Sequence, residues 1–218
     1  MARGSGEPRN GPRRVRRPKP GGGSLNERTF NPENTWKLDD PERLKWLPPD
    51  DIVSRFGLKP GETVADIGAG TGYFAIPMAA RIAPGMVYAV DFQPGMLERL
   101  RARLAAAGDP PNIEPIRGEA SATTLPDASV DFVLLANVWH EVDDREGVLR
   151  EAGRIARESA RIAILDWRTG VSRPPGPPFE HRVPVEETVR LLEANRWSVV
   201  ATAEYPFHYL LVADRLAG

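Results

Sequence analysis

From Gly61 onward, short apolar runs alternate with stretches whose apolar residues recur every three or four positions. Such alternation predicts parallel strands linked by crossover helices, an α/β domain. The runs ETVADI (62–67), MVYAVD (86–91), NIEPIRG (112–118), VDFVLLAN (130–137) and ARIAILDW (160–167) read as five strands, with WSVVATAEY (197–205) and FHYLLVADRL (207–216) as two more. Helical spacing falls over 73–82, 94–106, 144–157 and 185–194, with Asp143 as the expected N-cap of the third. Ahead of the first strand, LDDPERLKWLPPDDIVSRFGL predicts two short helices broken at Pro48-Pro49, with Gly57 closing the second. A long Pro/Gly-rich loop, RTGVSRPPGPPFEHRVP, leaves the fifth strand, a place where such loops commonly carry function.

Composition changes this picture at one end. Between Met1 and Arg28 there are eight Lys/Arg and two acids, with almost nothing apolar, so this stretch reads as a disordered basic tail. A solvated extension is the simpler reading; the other is a polyanion-binding or RNA-binding arm. Residues 29–58 then read as a separate helical segment ahead of the ligand-binding domain, 59–218. There is no cysteine, which excludes disulfides, thiolate zinc sites and a cysteine nucleophile. The three histidines, His140, His181 and His208, lack metal-ligand spacing, and no metal is expected. No apolar run approaches the ~20 residues of a membrane helix, and none follows the basic N-terminus as a signal sequence would require; a cytoplasmic protein is expected.

The chemistry is carried by VADIGAGTGYFA (64–75), where Asp66 precedes Gly68, Gly70 and Gly72, and Asp91 ends the next strand. In open parallel sheets ligands sit beyond the carboxyl ends of the strands, at the turn after the first strand. Glycines there let a ligand lie against the main chain, and an acid ending the second strand is placed to accept ribose hydroxyls. The spacing is G-x-G-x-G rather than the dinucleotide pattern G-x-G-x-x-G. A carboxylate as close as Asp66 repels a pyrophosphate and attracts a cation, so the pattern fits an adenosine cofactor bearing a positive charge and no phosphate. S-adenosylmethionine meets this description.

The segments VADIGAGTGYF, VYAVDFQPGML, RGEASATTLPDASVDFVLLANVWHEV and ARIAILDW, in this order and spacing, resemble the class I S-adenosylmethionine-dependent methyltransferases, in particular the ubiquinone/menaquinone-biosynthesis-like group acting on small molecules. The resemblance implies a Rossmann-like, seven-stranded, mostly parallel sheet flanked by helices, with the last strand antiparallel. It also implies roles: Asp66 on the methionine ammonium, Gly68, Gly70 and Gly72 against the cofactor, Asp91 on the ribose, Phe92 and Met96 flanking adenine, Glu119 and Ala120 at its polar edge, Asn137 on the methionine moiety, and residues 29–58 as a helical lid or cap over the cofactor with Trp36, Lys37 and Arg43 as its contacts. The chain departs from the family in RIARESARIAIL, where Glu158-Ser159 replaces a Lys-Pro-Gly-Gly turn before the fifth strand. Its lack of cysteine sets it apart from the thiol-dependent arsenite-methylating branch.

Methyl transfer from a sulfonium chiefly requires positioning and desolvation, with a base only where the nucleophile arrives protonated. ANVWHEV sets Trp139, His140 and Glu141 just past the fourth strand; His140 is the candidate base, its other reading being a loop hydrogen bond or a helix cap. Asp166 and Trp167, ending the fifth strand, and His181 and Arg182 in the following loop are candidates for the acceptor pocket, with loop anchoring as the other reading for Asp166 and a solvated charge for Arg182. His208, inside an apolar strand, reads as structural, and Trp46 as a packing residue. The expected partner is a small-molecule methyl acceptor. Two other functions stay open: a non-catalytic binding module whose basic tail holds RNA, and an NAD-dependent dehydrogenase.

Overall fold

The first strand, β1 (Val64–Ile67), is four residues long and buried throughout, because it lies between two parallel neighbours rather than at an edge. On one side is β2 (Val87–Asp91), with Val64 opposite Val87, and on the other β4 (Val130–Ala136), with Val64 opposite Phe132. Outside these run β3 (Ile113–Arg117), parallel to β2, and β5 (Ala156–Trp167), parallel to β4. The remaining strands are β6 (Trp197–Glu204) and β7 (His208–Arg215), and the sheet order is β3-β2-β1-β4-β5-β7-β6. Strand β7 is antiparallel to both β5 and β6, so the last strand does reverse against a parallel remainder. The chain, described here by a computed structural model over residues 40–171 and 176–217 together with Met1, therefore has the Rossmann-like sheet expected from its sequence. Residues 2–39, including Trp36, Lys37 and nearly all of the basic tail, lie outside the described residues.

Alternate positions of each strand feed two cores, the period-two consequence of the pleat. Val64, Phe132 and Leu134 pack with the helices α2 (Pro49–Ser54), α3 (Ala75–Ile82) and α4 (Pro94–Ala106) through Ile52, Met78 and Leu100. Ala65, Val133 and Leu135 pack on the other face with α5 (Arg145–Ile155) and α6 (Val185–Ala194) through Leu149, Ile155 and Leu192. The proline pair separates α1 (Arg43–Trp46) from α2, and Pro49 opens α2, where its missing N–H costs nothing. Among the described residues no helix is long and apolar enough to cross a membrane.

Three boundaries differ from the sequence reading. The N-cap of α5 is Asp144, not Asp143: its carboxylate accepts from Gly147 N at 2.8 Å. The helix ends at Ile155 and β5 begins at once with Ala156, so Glu158 and Ser159 belong to the strand instead of forming a turn. The helix-end carbonyls of Arg154 and Ile155 are taken by Ala128 N and Ser129 N, and the Arg215 guanidinium donates to Ala156 O and Arg157 O. These partners replace the cap a turn would supply. Gly57 lies beyond the end of α2, whose C-cap is Arg55, and takes φ +64° beside the Arg161 guanidinium. Arg161 donates to Phe56 O and forks onto both Glu62 oxygens at 2.7 and 2.8 Å, joining β5 to the segment entering β1.

Candidate active site

A cleft of about 470 Å³ opens beyond the carboxyl ends of β1, β2 and β4, where the strand order reverses about β1. Gly68, Ala69, Gly70 and Thr71 form its floor. Gly68 and Gly70 have φ of +75° and +55°, a region that costs residues with a Cβ. A Cβ on Gly68 would also lie 2.2 Å from Val138 Cγ2. Gly72 departs from expectation: it does not line the cleft, and a Cβ there would strike Leu100 Cδ1 of α4 at 2.5 Å. It is a packing glycine that lets the turn lie against α4.

Asp66 reaches the cleft from within β1 and is 2% exposed. Its Oδ2 is buried without a hydrogen-bond partner. Burial, and secondarily the charge of Asp91, push its pKa up to about 7. Asp91 ends β2; its Oδ2 accepts from Gly70 N at 3.0 Å and its Oδ1 from Gln93 N at 2.9 Å. Burial raises its pKa against these two bonds, and each oxygen keeps a lone pair for a ligand hydroxyl. Phe92 and Met96 form a wall with Gly118 and Ala120. Glu119 does not: it is exposed, its main chain paired with Ala122 in a tight turn that puts its neighbours, and not itself, against the cleft.

Asn137 lines the cleft in the left-handed region, φ +57°. Its Oδ1 lies 2.8 Å from Nε2 of His208, which is fully buried against Trp46 and Trp167. Burial, with Arg43 among the nearby charges, drives the His208 pKa down to about 3, so its ring is neutral and donates to Asn137. His208 and Trp46 are structural, as expected.

At the other end stand His140, Glu141, Trp167 and His181. A 3-10 turn, Trp139–Glu141, presents His140 and Glu141 to the cleft and sends Trp139 the opposite way. Trp139 is fully buried, its indole N–H donating to Thr188 Oγ1 of α6 at 3.0 Å, so it is a core residue and not an acceptor contact. Asp166 also stays out of the cleft, 1% exposed behind His140, with Oδ1 at 2.8 Å from His140 Nδ1. Burial disfavours a charged His140, but the charge and hydrogen bond of Asp166, with Glu141 behind them, outweigh it and raise the pKa. Arg182 is likewise no lining residue: it donates to Pro177 O and Arg168 O and lies against Phe179, fastening the loop that brings Gly176, Pro177 and Pro178 to the cleft.

The sequence reading missed Tyr73 and Phe74, an aromatic pair directly after the glycine turn, and took Arg43 only as a lid contact. Arg43 is 6% exposed, its guanidinium 3.9 Å from the Tyr73 ring centroid, and the Tyr73 hydroxyl donates to Leu47 O at 2.7 Å. Both residues line the cleft.

Residues 65–164 match a family described as a methyltransferase domain. The chain is similar to the ubiquinone/menaquinone biosynthesis C-methyltransferase UbiE of Hahella chejuensis, 32% identical over 126 residues that cover 57% of this chain and 49% of that one. It is similar also to the demethylmenaquinone methyltransferase of Geobacillus kaustophilus, 31% identical over 124 residues, 56% and 52% of the two chains. The matched part thus spans about half the length of these curated relatives. The crystal structure of an S-adenosylmethionine-dependent methyltransferase from Aquifex aeolicus superposes with a TM-score of 0.81 at 32% identity, covering 86% of this chain and 100% of that one. With this match across all of that chain, and with the Rossmann-like sheet, the chain belongs to the class I S-adenosylmethionine-dependent methyltransferases, a family whose cofactor is S-adenosylmethionine.

Proposed function

We propose that this protein transfers a methyl group from S-adenosylmethionine to a small-molecule acceptor held between His140, Glu141, Trp167 and His181. The observation that carries the reading is the buried, unpartnered Oδ2 of Asp66 in the cleft. A carboxylate with no counter-charge fits an ammonium, whereas a dinucleotide would bring a pyrophosphate against it. The relatives named for quinone and menaquinone biosynthesis support an acceptor of small-molecule size.

When bound, S-adenosylmethionine supplies a methyl group on a sulfonium, a good leaving group already installed. Asp66 holds the ammonium, and Gly68 and Gly70 let the ligand lie on the main chain. Asp91 accepts from the ribose hydroxyls, Phe92 and Met96 flank the adenine with Ala120 at its edge, and Asn137 faces the methionine moiety. His140 takes the proton of an acceptor that arrives protonated. The lid is the segment 29–58, a reading supported among its described residues by Arg43 of α1, which lines the cleft, and Trp46, which packs on Trp167 and His208. The cytoplasm is the proposed compartment.

Calorimetric titration of S-adenosylhomocysteine into wild type and Asp91→Ala tests the reading. Micromolar binding to wild type, lost in the variant, is expected; no binding to wild type overturns it.

A further inference from the structure

The carboxylate of Asp166 makes more bonds to one residue than anchoring requires. Its Oδ2 accepts from the His140 main-chain N–H at 2.8 Å, and its Oδ1 accepts from Trp167 N at 2.6 Å and faces His140 Nδ1 at 2.8 Å. Main chain and ring of His140 are thus held by one buried group near the end of β5. An ionised carboxylate can only accept, so the ring nitrogen facing it carries the proton. Two main-chain donors and His140 itself favour the ionised form despite burial. In a neutral imidazole with hydrogen on Nδ1, the lone pair is on Nε2. Among the described residues, the charged neighbour of Nε2 is Glu141 Oε1 at 3.8 Å, beyond hydrogen-bond reach, and both residues line the cleft.

We infer that Asp166 is a positioning residue that holds His140 as the Nδ1–H tautomer, with the Nε2 lone pair facing the acceptor end of the cleft. The inference rests on the reading of His140 as the base. In the step so arranged, the acceptor's proton forms a bond to Nε2, the pair that held it stays on the acceptor atom, and the imidazolium is stabilised by Asp166. Among the described residues, the charged and titratable groups that face His140 are Asp166 from β5, Glu141 from its own turn, Arg182 from the following loop and His208 from β7. Only Asp166 among the described residues contacts the ring within hydrogen-bond distance. A carboxylate that merely anchored the turn would need the Oδ2 bond alone and would leave the tautomer free.

The test is nitrogen NMR of the full chain labelled with 15N-histidine, its three histidines being separated by the loss of the His140 signals in His140→Gln. Wild type is expected to show hydrogen on Nδ1 of His140. Asp166→Ala removes the acceptor from that nitrogen, so the ring is expected to lose its preference for Nδ1–H in favour of Nε2–H and the titration midpoint of His140 to fall, as removal of a raising charge requires. An Nε2–H tautomer in wild type, or an Asp166→Ala protein with tautomer and midpoint unchanged, overturns the inference. Circular dichroism establishes that the variant is folded; if it is not, the wild-type tautomer decides. S-adenosylhomocysteine titrated into the same wild-type sample separates the two claims. Failure to bind overturns the proposed function, and the tautomer reports on Asp166 whichever way binding falls.

Discussion

Asp66 is the residue where stability and binding oppose each other. With its pKa raised to about 7, the folded protein holds a proton that the unfolded chain releases near its ordinary value of 3.8. Folding stability from this group therefore falls as pH rises from about 4 to about 7. A cationic ligand reverses the preference, because it binds the carboxylate form. Affinity for S-adenosylhomocysteine is expected to increase from pH 5.5 to pH 8 in wild type and to stay nearly level in Asp66→Asn. At pH 8 the variant should bind roughly 10- to 100-fold more weakly, the loss of one charge-assisted bond, while the ligand-free variant gains stability. Calorimetry and denaturant titration read the two effects separately. Asp66 and Asp91 were legible because their positions relative to the glycines are fixed by local chain geometry. Arg43 was not legible as a lining residue, since it reaches the cleft from 30 residues before Tyr73 and only the packing of α1 brings them together. Trp139 and His140 show the same limit at closer range: adjacent in sequence, they are sent to opposite sides by a 3-10 turn that no periodicity announces.

Among the elements, the glycine turn divides its residues between two tasks. Gly72→Ala is expected to cost about 1–3 kcal/mol, since its Cβ would meet Leu100 in a left-handed region of the backbone. Its affinity for S-adenosylhomocysteine should remain near wild type, because the position faces α4 and not the cleft. A tenfold weaker affinity at unchanged stability would contradict that placement. Arg161→Met should lower stability by about 1–3 kcal/mol in a denaturant melt, as it strips Glu62 and Phe56 O of their partner at a half-buried site. The strands were legible from alternation, and the helices from their three-to-four spacing. The start of β5 was not, because Ala156-Arg157-Glu158-Ser159 has no apolar alternation. Its extended form is set by Val130 opposite and by Arg215, 58 residues beyond Arg157. The α5 cap was ambiguous for a simpler reason: two aspartates stand together, and the one within reach of Gly147 N takes the position.

For the whole molecule, two buried groups give proton linkages of opposite sign. His208, lowered to about 3, is neutral in the folded state while the unfolded chain charges it below its ordinary 6.5, so its contribution to stability is lost as pH falls below about 6.5. Asp66 gains over the same interval. The two nearly cancel between about pH 4.5 and 6.5. Removing Asp66 should expose the His208 linkage: across this window Asp66→Asn is expected to show a stability slope steeper than wild type by about 1.4 kcal/mol per pH unit, measured by denaturant unfolding at several pH values. The same packing has an optical side. Of the tryptophans among the described residues, Trp139 and Trp197 are fully buried, whereas Trp167 lines the cleft with Trp46 5.8 Å away. The His208 ring against both stays uncharged in any ordinary buffer and so adds no imidazolium quencher. Emission from this tryptophan pair can therefore register a compound entering the acceptor end without a label, and a library can be sorted by light before any product is sought.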